Sequence, residues 1–384
     1  MNRTPIEWCR TYGPDGSFEE GFSVNPVRFR PLGTQRLVTM CQKVSPGCKH
    51  CYAEGITRRF WPKDALMPFP GYTATGVTEG SFVLDEKTLL SVLKRKQPAK
   101  VFWGDMTDLF QDGVTDDMLD RCFAICALTP HLTHMFLTKR PQRMREYLAS
   151  DIAEPRIITV TDQIGKTMGW DEWILPCEWP LPNVWLGTSV ESNEYRRRIV
   201  DLVCTPAVKH FISAEPLVGE LDLHVPYLQI AAGLDRYPFP MLADADRTML
   251  VDLLDWVIVG GESGSANDIS PMHPDWARLL QGQCVAAGKA FFFKQHGNYG
   301  PGSVLMTTGE QVYRQFESKQ QWINKGDTWV NGGICLDAAG KRLGRGADFD
   351  TCVYPVTVLH PVSKKEVGRK LDGREWNEFP EGVA

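Results

Sequence analysis

Six short stretches of the chain are almost continuously apolar and end on a polar cluster. They are Lys100-Val-Phe-Trp-Gly-Asp105, His134-Met-Phe-Leu-Thr-Lys139, Asn183-Val-Trp-Leu-Gly-Thr188, His210-Phe-Ile-Ser-Ala-Glu215, Asp255-Trp-Val-Ile-Val-Gly-Gly-Glu262 and Lys289-Ala-Phe-Phe-Phe-Lys-Gln295. Strands buried on both faces read this way, as in a parallel sheet covered by helices. Residues 116–128, 193–204 and 274–287 lie between such runs and carry the spacing and terminal residues of helices. A further strand is expected at residues 36–40, ending on Cys41 as the first of the series. This alternation predicts an α/β protein, either a parallel barrel or an open doubly wound sheet.

The polar strand ends choose between the two. In a barrel the C-terminal ends of all strands meet on one rim, which would gather Cys41, Asp105, Lys139, Thr188, Glu215 and Glu262. In an open sheet they would be spread along an edge. No G-x-G-x-x-G or Walker sequence follows any of the runs, which argues against a nucleotide-binding open sheet. The expectation is a partial TIM-type (β/α)6 parallel barrel over residues 1–297, with insertions near 159–181 and 226–254. After Gly297 the sequence becomes Gly-rich and short-stranded, so residues 298–384 are expected to form a small α+β appendage packing on the barrel.

Composition narrows the class without naming a function. The 384 residues are 43% hydrophobic and 23% charged, enough for one large core or two smaller ones. A formal charge of −5 gives no global attraction to nucleic acid, so any such contact would need local patches. Lys94-Arg-Lys96, residues 139–145 and Arg196-Arg-Arg198 are the candidates. The segment MNRTPIEWCR lacks an apolar signal core and no run reaches membrane-spanning length, so a cytoplasmic location without membrane insertion is expected. In a reducing compartment Cys122, Cys126, Cys177, Cys204, Cys284, Cys335 and Cys352 are simplest as free thiols. Cys122 and Cys126, one helical turn apart, read as packing residues, and Trp103 and Trp185 as core.

The densest chemistry is Cys41, Cys48 and Cys51, three thiols within eleven residues. Three thiolates suit a soft metal or an iron-sulfur cluster and leave one coordination position open. A structural zinc completed by a distant ligand such as Cys9 is the plain alternative. Strand-end carboxylates can equally cap helix N-termini, and Lys139-Arg140 before Pro141 reads as either an anion site or a solvated helix start.

Several segments together carry a family likeness: Ile6-Glu-Trp, residues 41–54, residues 101–110, Leu137-Thr-Lys-Arg-Pro141, Gly187-Thr-Ser-Val-Glu191, residues 211–217, Val259-Gly-Gly-Glu-Ser-Gly264, Phe293-Lys-Gln295 and Leu371-Asp-Gly-Arg-Glu-Trp. In these the chain resembles the bacteriophage three-cysteine-motif proteins, named after phage products gp thirty-seven and gp sixty-eight. That family is similar to a divergent branch of the radical S-adenosylmethionine superfamily, with a distant likeness to spore photoproduct lyase. The resemblance implies a [4Fe-4S] cluster on Cys41, Cys48 and Cys51, with S-adenosylmethionine at the fourth iron and a 5′-deoxyadenosyl radical on reduction. The spacing here is Cys-x6-Cys-x2-Cys, against the commoner Cys-x3-Cys-x2-Cys, and His50 replaces the usual aromatic before the last cysteine.

The same resemblance implies roles for the rim. Pro46 and Gly47 would let the cysteine loop turn. Gly104 and Asp105 would meet the methionyl amino group, Lys139 or Arg140 its carboxylate, and Ser189 and Glu191 the ribose hydroxyls. Glu215, Glu262 and Lys294 would face the substrate, expected to be a nucleobase, a nucleoside or nucleic acid. A reducing electron donor is implied, and the insertions offer material for a lid. Two other readings stand beside this one: a zinc-stabilised nucleic-acid-binding module, and an inactive barrel that binds a partner in phage or defence systems.

Overall fold

A computed structural model describes residues 1–13, 17–62, 80–170, 178–232, 247–264, 269–304, 311–344, 346–362 and 368–381. Cys177, part of the first expected insertion and residues 233–246 of the second lie outside these residues.

The protein is a mixed α/β structure around a mostly parallel eight-stranded sheet. Its seven parallel strands stand in sequence order: β1 (Phe22–Val24), β2 (Ala99–Trp103), β3 (Leu132–Thr138), β4 (Val184–Ser189), β5 (Lys209–Ala214), β6 (Trp256–Gly260) and β7 (Ala290–Gln295). The two-residue strand Asn2–Arg3 pairs antiparallel with the outer edge of β1. The six apolar runs are β2 to β7. Between them lie α1 (Tyr52–Phe60, before β2), α2 (Asp116–Ala127), α3 (Pro141–Leu148), α4 (Ala153–Thr167), α5 (Arg197–Val203) and α6 (Pro274–Ala286). Local chemistry sets their starts: the Thr115 hydroxyl accepts from the Met118 N–H ahead of Asp116 and Asp117, and proline opens α3 and α6.

Alternation along each strand separates two cores. Val101 and Trp103, Val184 and Leu186, and Val257 and Val259 join the large cluster shared with the helices. Phe102, Met135, Trp185, Phe211, Trp256 and Phe292, facing the other way, close on Trp8 and Cys9. The Trp8 ring lies 4.7 Å from Phe102 on β2 and 6.2 Å from Trp256 on β6. At about 4.8 Å per strand, a flat sheet would hold β2 and β6 about 19 Å apart. One indole reaching both requires the sheet to curl around it. Among the described residues no ladder joins β7 back to β1; the outer edge of β7 is met instead by residues 376–378, through the Phe292–Asn377 bridge and the Phe293 N–H donating to the Trp376 carbonyl at 3.0 Å.

Two expectations change. The first parallel strand is Phe22–Val24, not residues 36–40; of those only Val38 makes a bridge, to Phe29, which itself belongs to the antiparallel pair Val27–Pro31 and Gly80–Leu84. Cys41 therefore follows an extended segment rather than a strand of the sheet. Residues 159–167, expected in an insertion, complete α4, which buries Ala153, Ile157, Thr161 and Ile164 on one side. Its β-branched run Ile157-Ile-Thr-Val-Thr161 has weak helix propensity, and burial of one stripe outweighs it.

Beyond residue 298 five of the described strands form a separate antiparallel sheet, and the others two short antiparallel pairs. Val356–Pro361 is central, pairing with Tyr299–Gly300, Arg314–Phe316 and Ile334–Leu336, and Arg342–Leu343 pairs with Ile334–Leu336. Helix α7 (Lys319–Val330) lies beside it, over a core of Phe316, Cys335, Phe349 and Val358. Buried His273, at the start of α6, ties that helix to the second sheet by a 3.0 Å hydrogen bond between Nε2 and the Thr357 hydroxyl.

Candidate functional site

Because the parallel strands follow one another in sequence, their C-terminal ends share one edge of the curled sheet. A cavity of about 680 Å³ opens there. Cys41, Cys48 and Cys51 line it together with Gly104 and Asp105 after β2, Lys139 and Arg140 after β3, and Ser189 at the end of β4. Glu215, Glu262 and Lys294 line it from β5, β6 and β7. Of the expected rim and site residues Thr188 and Glu191 do not line the cavity; the Thr188 hydroxyl is buried and donates to the Thr138 carbonyl at 2.8 Å, and Glu191 is set, fully buried, behind the wall.

The cysteine wall is held by polar side chains from β2, β3 and β4. Gln111 donates through Nε2 to the Met40 carbonyl at 2.9 Å and accepts at Oε1 from the Gln42 N–H at 3.0 Å, clasping the backbone on both sides of Cys41. Arg140 bridges the same loop, donating to the Gln42 carbonyl at 3.1 Å and to Asp108 at 3.0 Å. Asp108 also accepts from the Thr138 hydroxyl and the Lys139 N–H, which fixes the end of β3. Further along, Ser45 donates to Glu191, as do Lys139 and Arg198, the last at 2.7 Å. Gly47 sits against this cluster. A Cβ there would lie 2.8 Å from the Glu191 Cγ and Oε1, so the residue is glycine for close approach rather than for turning. Gly104 needs its identity for both reasons, with φ +78° and a Cβ that would meet Leu109 at 2.1 Å.

Electrostatics on this wall are internally balanced. Burial alone would raise the Glu191 carboxyl, but Lys139, Arg198 and Ser45 outweigh it and hold the group below the usual carboxylate range. Asp105 goes the other way: burial raises it, against hydrogen bonds from Asn25 and Ser23. Burial, with Asp108 nearby, pushes the Cys41 thiol up to about 12, and burial also raises Cys51. Such thiols stay protonated until a metal displaces the proton. Among the described residues, no three His, Cys, Asp or Glu side chains are gathered as the ligand set of one metal ion. Cys9, the fourth ligand of the zinc alternative, packs with Trp8 in the inner core and does not line the cavity. Much of the 139–145 stretch is engaged within the chain: Arg143 pairs with Asp116 and Arg145 with Asp201, beside the Lys139 and Arg140 pairs above, and Arg198 of the third stretch pairs with Glu191.

The opposite wall is built by β5 to β7. Lys294 pairs with Glu215 at 2.8 Å, and although burial lowers the ammonium, Glu215 and Glu7 raise it above its ordinary value. Glu262 accepts the Ser270 N–H at 2.6 Å. The Gln295 amide donates to Glu215 at 3.2 Å, to the Ser263 hydroxyl at 3.1 Å and to the Gly261 carbonyl at 3.4 Å. Three buried polar atoms of cavity-lining residues have no partner: Gln295 Oε1, Thr107 Oγ1 and His50 Nε2. An orphan of this kind costs free energy.

Sequence reading missed Gln111, Asp108, Thr107, Asn25, Ser45 and Gln295. Asp108 and Gln111 stand next to a strongly apolar segment, and a polar residue in such a setting is a usable signal. Asn25 and Ser45 carry none, because their partners are 80 and 146 positions away. The structural readings of Trp103, Trp185, Cys122 and Cys126 hold, all four being buried.

The chain belongs to the family described as proteins of unknown function DUF5131, which matches residues 34–380. No curated protein and no solved structure matches it.

Proposed function

We propose that this DUF5131 protein is a radical S-adenosylmethionine enzyme on a partial TIM-type barrel, with Cys41, Cys48 and Cys51 holding a [4Fe-4S] cluster. The observation that carries the reading is that the three thiols share one cavity with the polar ends of six parallel strands. The residues fit the group: soft donors line the cavity, their loop is fixed by Gln111 and Arg140, and unpartnered Thr107 Oγ1 and His50 Nε2 lie on the same wall. When bound, the reduced cluster supplies an electron for cleavage of the sulfonium of S-adenosylmethionine.

The protein's own groups position and shield. Lys139 reaches the cavity while tethered to Glu191, so its charge is held in place before a ligand carboxylate arrives. Asp105, with its carboxyl raised, accepts from an amino group without a cation of its own to displace. Ser189 offers a hydroxyl at the end of β4. Trp8 and Phe102 close the floor of the cavity against water. The substrate, a nucleobase, nucleoside or nucleic acid in this reading, would meet Glu215, Glu262 and Lys294, and a reducing donor would supply the electron in the cytoplasm.

Anaerobic reconstitution with iron and sulfide, then reduction with dithionite, tests the reading. Four irons and four sulfides per chain and release of 5′-deoxyadenosine from S-adenosylmethionine are expected. A folded protein that takes up neither iron nor sulfide rejects it.

A further inference from the structure

Helix α1 is amphipathic in the inverse sense of an ordinary surface helix. Its buried positions are small or polar, Ala53, Glu54 and Thr57, while Tyr52, Ile56 and Phe60, on one stripe at i, i+4 and i+8, are 56, 42 and 66% exposed. With exposed Val44 they make four of the twelve large apolar side chains exposed among the described residues, so they form a face rather than scatter. Cations border it. Residues 41–60 carry Lys43, Lys49, Arg58 and Arg59 against one carboxylate, Glu54, which is buried and paired with Lys43 and Arg58, in a chain of net charge −5. Arg58 and Arg59 suit the C-terminal end of the helix dipole, but Lys49, ahead of its N-terminus, does not, so the helix alone does not account for the charge. The face adjoins the thiols. Cys51 is the cap residue of α1, and Val44 and Tyr52 line the cavity together with Cys41, Cys48 and Cys51. The Tyr52 hydroxyl donates to the Asp105 carbonyl at 2.7 Å, which fixes the ring where face and cavity meet.

We infer that this face of α1 is the docking surface for an acidic one-electron carrier protein, which delivers the electron beside the cysteine loop. The inference rests on the proposed function for the need of an electron, and on the exposed stripe and its cations for the place and charge of the partner. In the transfer the carrier is oxidised by one electron and the cluster reduced by one, with no bond made or broken. An apolar centre with a charged rim is the make-up of a transient protein interface, and redox encounters lie at the small end of interface size, within reach of a nine-residue helix and its loop. Nucleic acid would answer the cations but not Val44 and Ile56, which offer no ring for a base to stack on. Opposite charge steers such an encounter, so added salt should weaken it.

An acidic flavodoxin and an acidic ferredoxin are the probes, used on the full chain. Equilibrium binding of each is measured before and after reconstitution with iron and sulfide, at low and at high salt. Release of 5′-deoxyadenosine is then driven either by the reduced carrier or by dithionite, which needs no docking surface. Arg59→Glu and Phe60→Ser change the face at exposed residues that do not line the cavity. Each should weaken binding of the carrier about tenfold or more and slow carrier-driven release, with dithionite-driven release unchanged. Salt should weaken the wild-type complex. No saturable binding of either carrier, or unchanged binding in both variants, overturns the inference. So does a dimer that Phe60→Ser dissociates, which gives the face to a second copy, or a single-stranded oligonucleotide bound in place of the carriers and lost in Arg59→Glu. Dithionite-driven release without carrier binding removes the docking role and keeps the enzyme; carrier binding lost in the variants, without release under either reductant, does the reverse.

Discussion

The two walls of the cavity are built on different principles. On the cysteine wall charged groups answer one another: Lys139 and Arg198 with Glu191, Arg140 with Asp108, and Gln111 with the backbone around Cys41. On the β5–β7 wall Glu215 and Lys294 pair, while the oxygen of the Gln295 amide beside them is buried without a donor. A network of this kind holds a loop in one place, as a resident cofactor requires. The comparison teaches that charge on a strand end is no guide to which groups contact a ligand, since most of the charges here face each other.

The largest effect should come from the cysteine wall. Cys48→Ala is expected to lower iron uptake and 5′-deoxyadenosine release to background while the thermal melt stays within a few degrees, read by metal analysis and product chromatography. Residual turnover at the wild-type level would detach the thiols from the chemistry. Next, Glu191→Gln leaves Lys139 and Arg198 facing each other without a counter-charge and should cost about 3 kcal/mol in urea unfolding. The pH dependence follows from the same group. Its folded carboxyl lies below the unfolded one, so its contribution is present above the unfolded value and lost as pH falls through the folded one. The E191Q variant should be flatter than the wild type through that acid window.

Smaller effects sharpen the contrast. Gly47→Ala pushes a methyl into Glu191 and should cost about 1–3 kcal/mol by overpacking, with faster alkylation of Cys48 as the loop lifts. Unchanged alkylation would mean that the loop is not held by this contact. Thr107→Val removes an unpartnered buried hydroxyl, so the free protein should be unchanged or up to about 1 kcal/mol more stable. If that variant also weakens S-adenosylmethionine binding, the hydroxyl serves a ligand.

What was legible in the sequence is what continuous burial enforces. The runs at β2 to β7 are apolar because both faces are covered, and the ends Asp105, Lys139, Glu215 and Glu262 follow from where those runs stop. β1 was not legible. It is three residues, Phe22–Val24, and its place depends on pairing with Val101–Trp103 almost eighty positions later. α4 hid behind residues that prefer strands, and the second parallel-sheet core hid because Trp8 and Phe102 carry no sequence mark that they will meet.

The sequence by itself determined the α/β alternation, the thiol triplet and the polar strand ends, since each is a local pattern set by burial or by the chemistry of neighbouring side chains. Only the tertiary structure decided that the sheet curls around Trp8, that Gly47 yields space to Glu191, and that the Gln295 oxygen is left without a donor. These depend on contacts between distant segments, and hydrogen-bond satisfaction in particular can be counted only once every partner has a position.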